Sequence, residues 1–141
     1  MINGVVITML AVETVSDIRT RKISLLRLSA FLAAGIVFNI VMKYQTLWSL
    51  LGGIAPGLIL MLYARLTGEG IGYGDCVLFI VSGIFIGFFD NLKLLFLSLV
   101  LASVVGGVLV LLKKGNFRMK IPFVPCILSA YAIMIVLENV L

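Results

Sequence analysis

Six apolar stretches, separated by short charged or turn-forming segments, dominate this chain of 141 residues. They cover residues 4–18, 28–42, 47–64, 76–89, 94–112 and 121–137. A helix needs about 20 apolar residues to cross the ~30 Å hydrocarbon core of a bilayer, whereas a membrane-spanning strand alternates in polarity. No such alternation is visible. We therefore predict an all-α, polytopic integral membrane protein with about six transmembrane helices.

Composition agrees with this prediction, because 62% of the residues are apolar and 12% are charged. Soluble domains contain about 45–50% apolar and about 25% charged residues. We expect residues 1–141 to form a single transmembrane domain without a separate soluble domain. The first stretch lacks the basic start of a signal peptide, so we expect it to be retained.

The positive charges predict an orientation in the membrane. Nine of the eleven Lys and Arg residues follow the first, third or fifth stretch, and Lys43 and Lys93 remain for the other side. By the positive-inside rule, those three connections lie in the cytoplasm and both termini lie outside. Basic loops at the anionic inner leaflet explain the net charge of +5 without nucleic acid.

Several chemistries are excluded or disfavoured by what the chain contains. It has no histidine, which excludes His-dependent triads and HExxH zinc sites. Its two cysteines, Cys76 and Cys126, are fifty residues apart in apolar stretches and are expected to pack as small apolar groups. No metal site and no cofactor is implied.

The acidic residues are the informative ones, because a carboxylate at membrane depth is costly and usually functional. We expect Asp90, in a short outer turn over residues 90–93, and Glu138, at the outer C-terminus, to be solvated. Glu13, Asp17 and Asp75 fall near the cytoplasmic ends of apolar stretches. Glu69 lies in the connection before Asp75, and we interpret it as a solvated loop charge.

Each of the two aspartates has a structural explanation when it is considered alone. Asp17 precedes Arg21 by four residues, a spacing that favours an interfacial ion pair. Asp75 closes the glycine-rich segment 67–75, in which alternating glycines permit unusual dihedrals and close approach, and it would cap the fourth helix. Together, two aspartates at the cytoplasmic ends of different helices suit aspartic proteolysis, in which two carboxyl groups share one proton.

Three ordered segments resemble the type IV prepilin peptidase family, the GxGD membrane aspartyl proteases of bacteria and archaea. The first is DIRTRKI, residues 17–23, and the second is GYGD, residues 72–75, followed by Gly83 and Gly87. The third is IPFVP, residues 121–125, which is similar to the IPFxP run that opens the family's last helix. The resemblance covers nearly the whole chain, including the glycine pairs at 52–53 and 106–107.

The resemblance implies that Asp17 and Asp75 are the catalytic pair of a prepilin leader peptidase. The partner it implies is a prepilin or pilin-like precursor, cut after the glycine before its hydrophobic helix. It also implies the prokaryotic inner membrane as location, with the site facing the cytoplasm. Without the paired CxxC motifs of longer relatives, the chain is similar to the compact, peptidase-only members, such as those serving tight-adherence pili.

Two departures from the family pattern stand close to these motifs. Ser24 replaces the proline of an Ile-Pro pair, and Val77 stands where many members have a lysine. Without that lysine, Glu13, four residues before Asp17, is a candidate modulator of the pKa of Asp17 as a third carboxyl group. This hypothesis rests on the i, i+4 spacing alone.

The residues around Asp75 also suggest how substrate is held. We expect the glycine-rich loop of residues 68–74, which includes Gly72, Tyr73 and Gly74, to form a flexible edge for an extended peptide. Tyr73 would either lie across that peptide or anchor the loop at the membrane interface.

Other functions remain open at this level. A small proton-coupled transporter would use Glu13 as its intramembrane carboxylate, and a non-catalytic family member would retain the fold without the activity. A presenilin-like protease shares the GxGD chemistry, but the chain is short for that architecture and lacks the Pro-Ala-Leu motif. The carboxylate on which activity depends separates transport from proteolysis.

Overall fold

A computed structural model of the chain describes residues 2–20, 22–68, 71–112 and 121–141. These residues form helices without any strand, which confirms the all-α prediction. The helices are α1 (Ile2–Thr20), α2 (Leu25–Met42), α3 (Leu47–Leu66), α4 (Tyr73–Ile86), α5 (Phe88–Leu111) and α6 (Val124–Val140). Each helix covers one of the six apolar stretches, apart from a few residues at its ends.

Within the described residues, three helices are long and apolar enough to cross a membrane: α2, α3 and α5. They carry the large exposed apolar side chains expected of a lipid-facing surface, among them Leu26, Trp48 and Leu111. The helix α4 has 14 residues, about 21 Å at 1.5 Å per residue, which is short of the ~30 Å hydrocarbon core. Crossing by α1, α4 and α6 stays a prediction.

The short helix α4 lies at the centre of the molecule. Eight of its fourteen residues are buried, compared with two of the eighteen in α2. It contacts α1, α2, α3 and α5, and the apolar core around it includes Phe79, Met9 and Ile127. A residue in the first turn of α4 is therefore placed next to the ends of neighbouring helices.

Small residues bring α3 and α4 close together. A Cβ added at Gly83 would overlap the carbonyl oxygen of Gly53, and one added at Gly57 would lie 2.5 Å from Cγ1 of Ile80. Glycine at these positions lets the two backbones approach closely, as in other membrane helix pairs.

The turn between α4 and α5 corrects one sequence-based expectation. We predicted an outer turn over residues 90–93, but these residues belong to α5, and the chain turns at Gly87 instead. Gly87 has φ +81°, a conformation that favours glycine. Asp90 is therefore helical and pairs with Lys93 three residues on, at 2.9 Å.

Asn91, which lies within the predicted turn, is fully buried. Its Nδ2 donates to the carbonyl oxygens of Gly53 at 2.8 Å and Phe79 at 2.9 Å, and its Oδ1 accepts from the Ser82 hydroxyl at 2.9 Å. One amide side chain thus joins α3, α4 and α5. The polar residues 90–91 suggested a turn, and the structural role of Asn91 in the core was therefore not predicted.

Candidate active site

Asp17 lies in the last turns of α1 and is almost completely buried. Its Oδ2 accepts a hydrogen bond of 3.2 Å from the backbone N–H of Val124, the first residue of α6. The first N–H groups of a helix have no partner within the helix, so Asp17 caps α6 from a neighbouring helix. The predicted pairing of Asp17 with Arg21 lies outside the described residues.

Asp75 lies in the first turn of α4, as the sequence predicts, but the N-cap position is Gly72 and no side-chain cap hydrogen bond forms there. The prediction that Asp75 caps α4 is therefore wrong, because the helix already begins at Tyr73, two residues earlier. Its backbone N–H donates to the Gly72 carbonyl oxygen at 3.1 Å. Burial and, next in size, the negative charge of Asp17 raise the pKa of Asp75 from 3.8 to about 7. The fold therefore brings the two aspartates close enough for the charge of Asp17 to contribute to the raised pKa of Asp75.

The three sequence segments that suggested a site meet at this end of the molecule. Ile23 packs against Gly74, where an added Cβ would lie 2.8 Å from Cβ of Ile23. The backbone N–H of Val124, in the third segment, donates to Asp17. The ring centroids of Phe123 and Phe79 are 6.3 Å apart. The site thus combines side chains and backbone from α1, α4 and α6.

Among the glycines before Asp75, Gly68 has the left-handed φ of +64° that a glycine-rich segment permits, whereas Gly72 and Gly74 adopt ordinary dihedrals. Gly72 has φ −64°, which any residue adopts, and Gly74 is helical. Gly74 is needed because Ile23 occupies the position of its missing side chain. Tyr73 and Gly74 were predicted in a flexible loop, which is wrong: they form the first turn of α4, where the N–H groups of Asp75 and Cys76 donate to the Gly72 carbonyl. Tyr73 is 41% exposed. Glu69 lies outside the described residues.

Glu13 is fully buried and has a partner that the spacing on α1 does not reveal. Arg27 of α2 donates from Nε to Oε1 at 3.0 Å and from Nη2 to Oε2 at 3.4 Å. The backbone N–H of Ser24 also donates to Oε2, at 3.4 Å.

The departure at Ser24 gains a structural reason from this contact. A proline at that position would have no N–H to offer Glu13. The hydroxyl of Ser24 also accepts from the N–H of Arg27 at 3.4 Å and caps α2. An arginine three residues after a helix-capping serine was the one sequence signal that could have pointed to this cluster.

Other features lie outside this group of residues. Val77, at the position of the family's lysine, packs against the apolar core. A cavity of about 410 Å³ lies at the opposite end of α1, lined by Ile2, Asn3, Phe38, Met42 and Tyr44. Within the described residues, no three His, Cys, Asp or Glu side chains form a group that could hold a metal ion.

The fold and site together define a class: a helical membrane protein with a coupled pair of carboxyl groups at one end of its helices. A model of the Type IV leader peptidase family matches residues 4–111, which include both aspartates and the GYGD segment. The chain belongs to this family of peptidases, as its motifs predicted. No match was found among curated proteins or among solved structures.

Proposed function

We propose that the protein is a membrane-embedded aspartic endopeptidase that uses Asp17 and Asp75 as its catalytic pair. The observation that carries this proposal is the placement of Asp17 and Asp75 at the adjoining ends of α1 and α4, where Asp17 is buried and caps α6. Burial and, next, the charge of Asp17 raise the pKa of Asp75 to about 7 in this arrangement. Aspartic proteolysis requires one ionised and one protonated carboxyl group at the same pH. The raised pKa of Asp75 lets this residue supply the protonated group near neutral pH.

The surroundings of the two carboxyl groups suggest a role for each. Asp17 accepts the N–H of Val124, and an ionised carboxylate is the stronger acceptor for such a bond. We assign Asp17 as the base that takes a proton from the attacking water. Asp75 then donates its proton toward the carbonyl oxygen of the scissile bond. The tetrahedral intermediate collapses with cleavage of the C–N bond: Asp17 gives the proton it took from water to the leaving nitrogen, and a hydroxyl of the intermediate returns a proton to Asp75 as the new carboxyl group forms.

The family suggests the substrate, a type IV prepilin or pilin-like precursor cut after the glycine that precedes its hydrophobic helix. Gly72, Tyr73 and Gly74 adjoin Asp75 and are proposed to line the extended segment of the peptide. Arg19, Lys22 and Arg27, near the site, favour a cytoplasmic position at a prokaryotic inner membrane. Residues 1–141 would then act as a single transmembrane peptidase domain in a lipid bilayer.

The environment of Glu13 disfavours the transporter hypothesis. A proton-coupled transporter needs a carboxylate that exchanges its proton for a cation reaching it from water. Glu13 is fully buried and both of its oxygens accept hydrogen bonds, one of them from two donors. The peptidase hypothesis needs no exchange at this residue.

Co-expression with a panel of prepilins tests the proposal. Wild type, Asp17→Asn and Asp75→Asn would be compared by precursor mobility on gels and by N-terminal sequencing of the product. Asp90→Asn is a matched control, because the third aspartate pairs with Lys93 and takes no part in the site. We expect cleavage after the glycine by wild type and Asp90→Asn, and a loss of at least about 100-fold in both site variants.

The alternatives give different results in the same experiment. Cleavage that survives Asp17→Asn or Asp75→Asn would show that the catalytic pair is misassigned. A wild-type protein that folds but leaves every precursor whole would favour a non-catalytic member of the family. In that case, cation export that depends on Glu13 would be measured next.

A further inference from the structure

Glu13 places a third carboxyl group beside the aspartate pair. It lies one helical turn before Asp17 on α1, and both side chains are buried in the interior. Residues four apart on a helix have Cβ atoms about 5–6 Å apart. An uncompensated charge on Glu13 would therefore act on the neighbouring Asp17 and, because the two aspartates interact, favour the protonated forms of the pair.

Arg27 supplies the compensating charge from a different helix. Its guanidinium meets both carboxylate oxygens of Glu13, at 3.0 Å and 3.4 Å, in the two-pronged arrangement typical of strong Arg–carboxylate pairs. The Glu13 side chain is fully buried, whereas 43% of the Arg27 side chain is exposed. The ion pair thus has its carboxylate in the protein interior, one helical turn from Asp17, and its guanidinium partly at the surface.

Charged and titratable groups on all of the surrounding elements bear on this cluster. Within the described residues they are Asp17 and Arg19 on α1, Lys22 before α2, Arg27 on α2, Tyr63 and Arg65 at the end of α3, Tyr73, Asp75 and Cys76 on α4, and Cys126 on α6. Of the cations among them, Arg27 is the one in an ion pair with a carboxyl group of the cluster. Arg19 and Lys22 are exposed.

We propose that Arg27 is a positioning residue that cancels the charge of Glu13, so that this third carboxyl group does not disturb the proton shared by Asp17 and Asp75. The inference rests on the proposed function in taking these aspartates as the catalytic pair. In this proposal the charge of Glu13 is cancelled in the wild-type protein. Glu13 therefore affects the protonation of the aspartate pair only when Arg27 is removed. Opposite single substitutions should therefore act in opposite directions.

Nuclear magnetic resonance can follow the carboxyl groups without relying on activity. The chain has three aspartates, Asp17, Asp75 and Asp90, so labelling the aspartate carboxyl carbons with ¹³C gives three signals to assign with Asn variants. The full chain in detergent micelles would be titrated as wild type, Arg27→Gln, Glu13→Gln and the double variant. Asp90, paired with Lys93 away from the site, is an internal control.

Arg27→Gln is expected to raise the midpoint of Asp75 by about one pH unit, because Glu13 is left uncompensated. Glu13→Gln is expected to lower it, because the arginine is then unopposed. The double variant is expected to return to the wild-type midpoint, and Asp90 is expected to stay constant throughout. An unchanged Asp75 midpoint in Arg27→Gln, or a double variant that remains shifted, would overturn the inference.

If Arg27→Gln does not fold, the additional variant Arg27→Lys and the double variant still test the proposal. Arg27→Lys retains the charge and is expected to keep the wild-type midpoint, and the double variant is expected to fold because no charge is left unpaired. A double variant that also unfolds would assign Arg27 to packing and overturn the proposal. If wild type cleaves no prepilin, the proposed function fails, while the midpoints still decide the role of Arg27.

Discussion

The backbone N–H of Val124 donates to Oδ2 of Asp17 across 107 positions of sequence. Asp17 thereby acts as the cap of α6, a helix that follows Pro122 and carries Pro125 in its first turn. Burial and, next in size, the charge of this carboxyl group raise the pKa of Asp75 on α4. Asp17 therefore serves two purposes, one in helix stability and one in the electrostatics of the site, and substitutions can separate them.

Asp17→Asn and Asp17→Ala should differ in stability although both abolish cleavage. The amide oxygen of asparagine can still accept the Val124 N–H, whereas alanine leaves that donor without its cap. Loss of a helix cap costs about 0.5–2 kcal/mol. Thermal unfolding in detergent should show Asp17→Asn near wild type and Asp17→Ala less stable by about 1 kcal/mol. Equal stability of the two variants would argue against the cap.

The raised pKa of Asp75 predicts a pH dependence of stability. The neutral carboxyl group is favoured in the folded state, so this contribution is fully present below about pH 4 and is lost as pH rises to about 7. Melting temperatures measured from pH 4 to 8 should fall over that range for wild type. They should fall less for Asp75→Asn, which has no proton to lose, and parallel curves would contradict the assignment.

Cleavage should decline on the alkaline side of about pH 7, because ionised Asp75 has no proton to donate to the scissile carbonyl. The rate of precursor cleavage by the solubilised protein, measured from pH 5 to 9, checks this. Asp90→Asn should show the same alkaline limb as wild type. A rate that stays level to pH 9 would mean that Asp75 is not the acid.

Gly74→Ala should reduce cleavage more than it reduces stability. Its Cβ would lie 2.8 Å from Cβ of Ile23, an atom close to the backbone that cannot easily swing away, so the first and second motifs must move apart. A displacement of about 1 Å in a catalytic site can cost about 100-fold in rate. We expect a loss of about 10- to 100-fold in cleavage. Gly107→Ala, a helical glycine with open space around its Cβ position, should cleave like wild type.

Asn91→Leu should destabilise the protein although leucine is apolar and similar in size. The substitution leaves the Gly53 carbonyl without the Asn91 donor and breaks the link between α3, α4 and α5. A buried polar group that loses its partner costs about 1–3 kcal/mol. Asn139→Leu, at an exposed position on α6, is the matched control and should change stability by less than about 0.5 kcal/mol.

Features of the fold that depend on neighbours along the chain can be predicted from local sequence patterns. Apolar stretches specify helices directly, so six helices were predicted with small errors at their ends. Asp75 was predicted at the start of α4 because a glycine-rich segment followed by an apolar run marks a helix N-terminus. The turn at residues 90–93 was wrong because a polar Asp-Asn pair suggests a turn, whereas Gly87 alone supplies the left-handed conformation there.

Contacts between helices were beyond the reach of sequence patterns. The spacing of Glu13 and Asp17 on one face was correct, but the arginine that pairs with Glu13 comes from α2, fourteen residues later. The buried role of Asn91 likewise depends on carbonyl groups of two other helices. Spacing along a helix describes one face of one element and says nothing about what packs against it.

The sequence by itself determined the helices and the membrane character and singled out the acidic residues proposed as the site, because each depends on composition or on neighbours along the chain. Only the tertiary structure decided which groups share an environment: Asp17 with the start of α6, Asp75 with Asp17, and Glu13 with Arg27. The physical reason is that burial and electrostatic coupling depend on distances through space. Those distances are set when α1, α4 and α6 pack together.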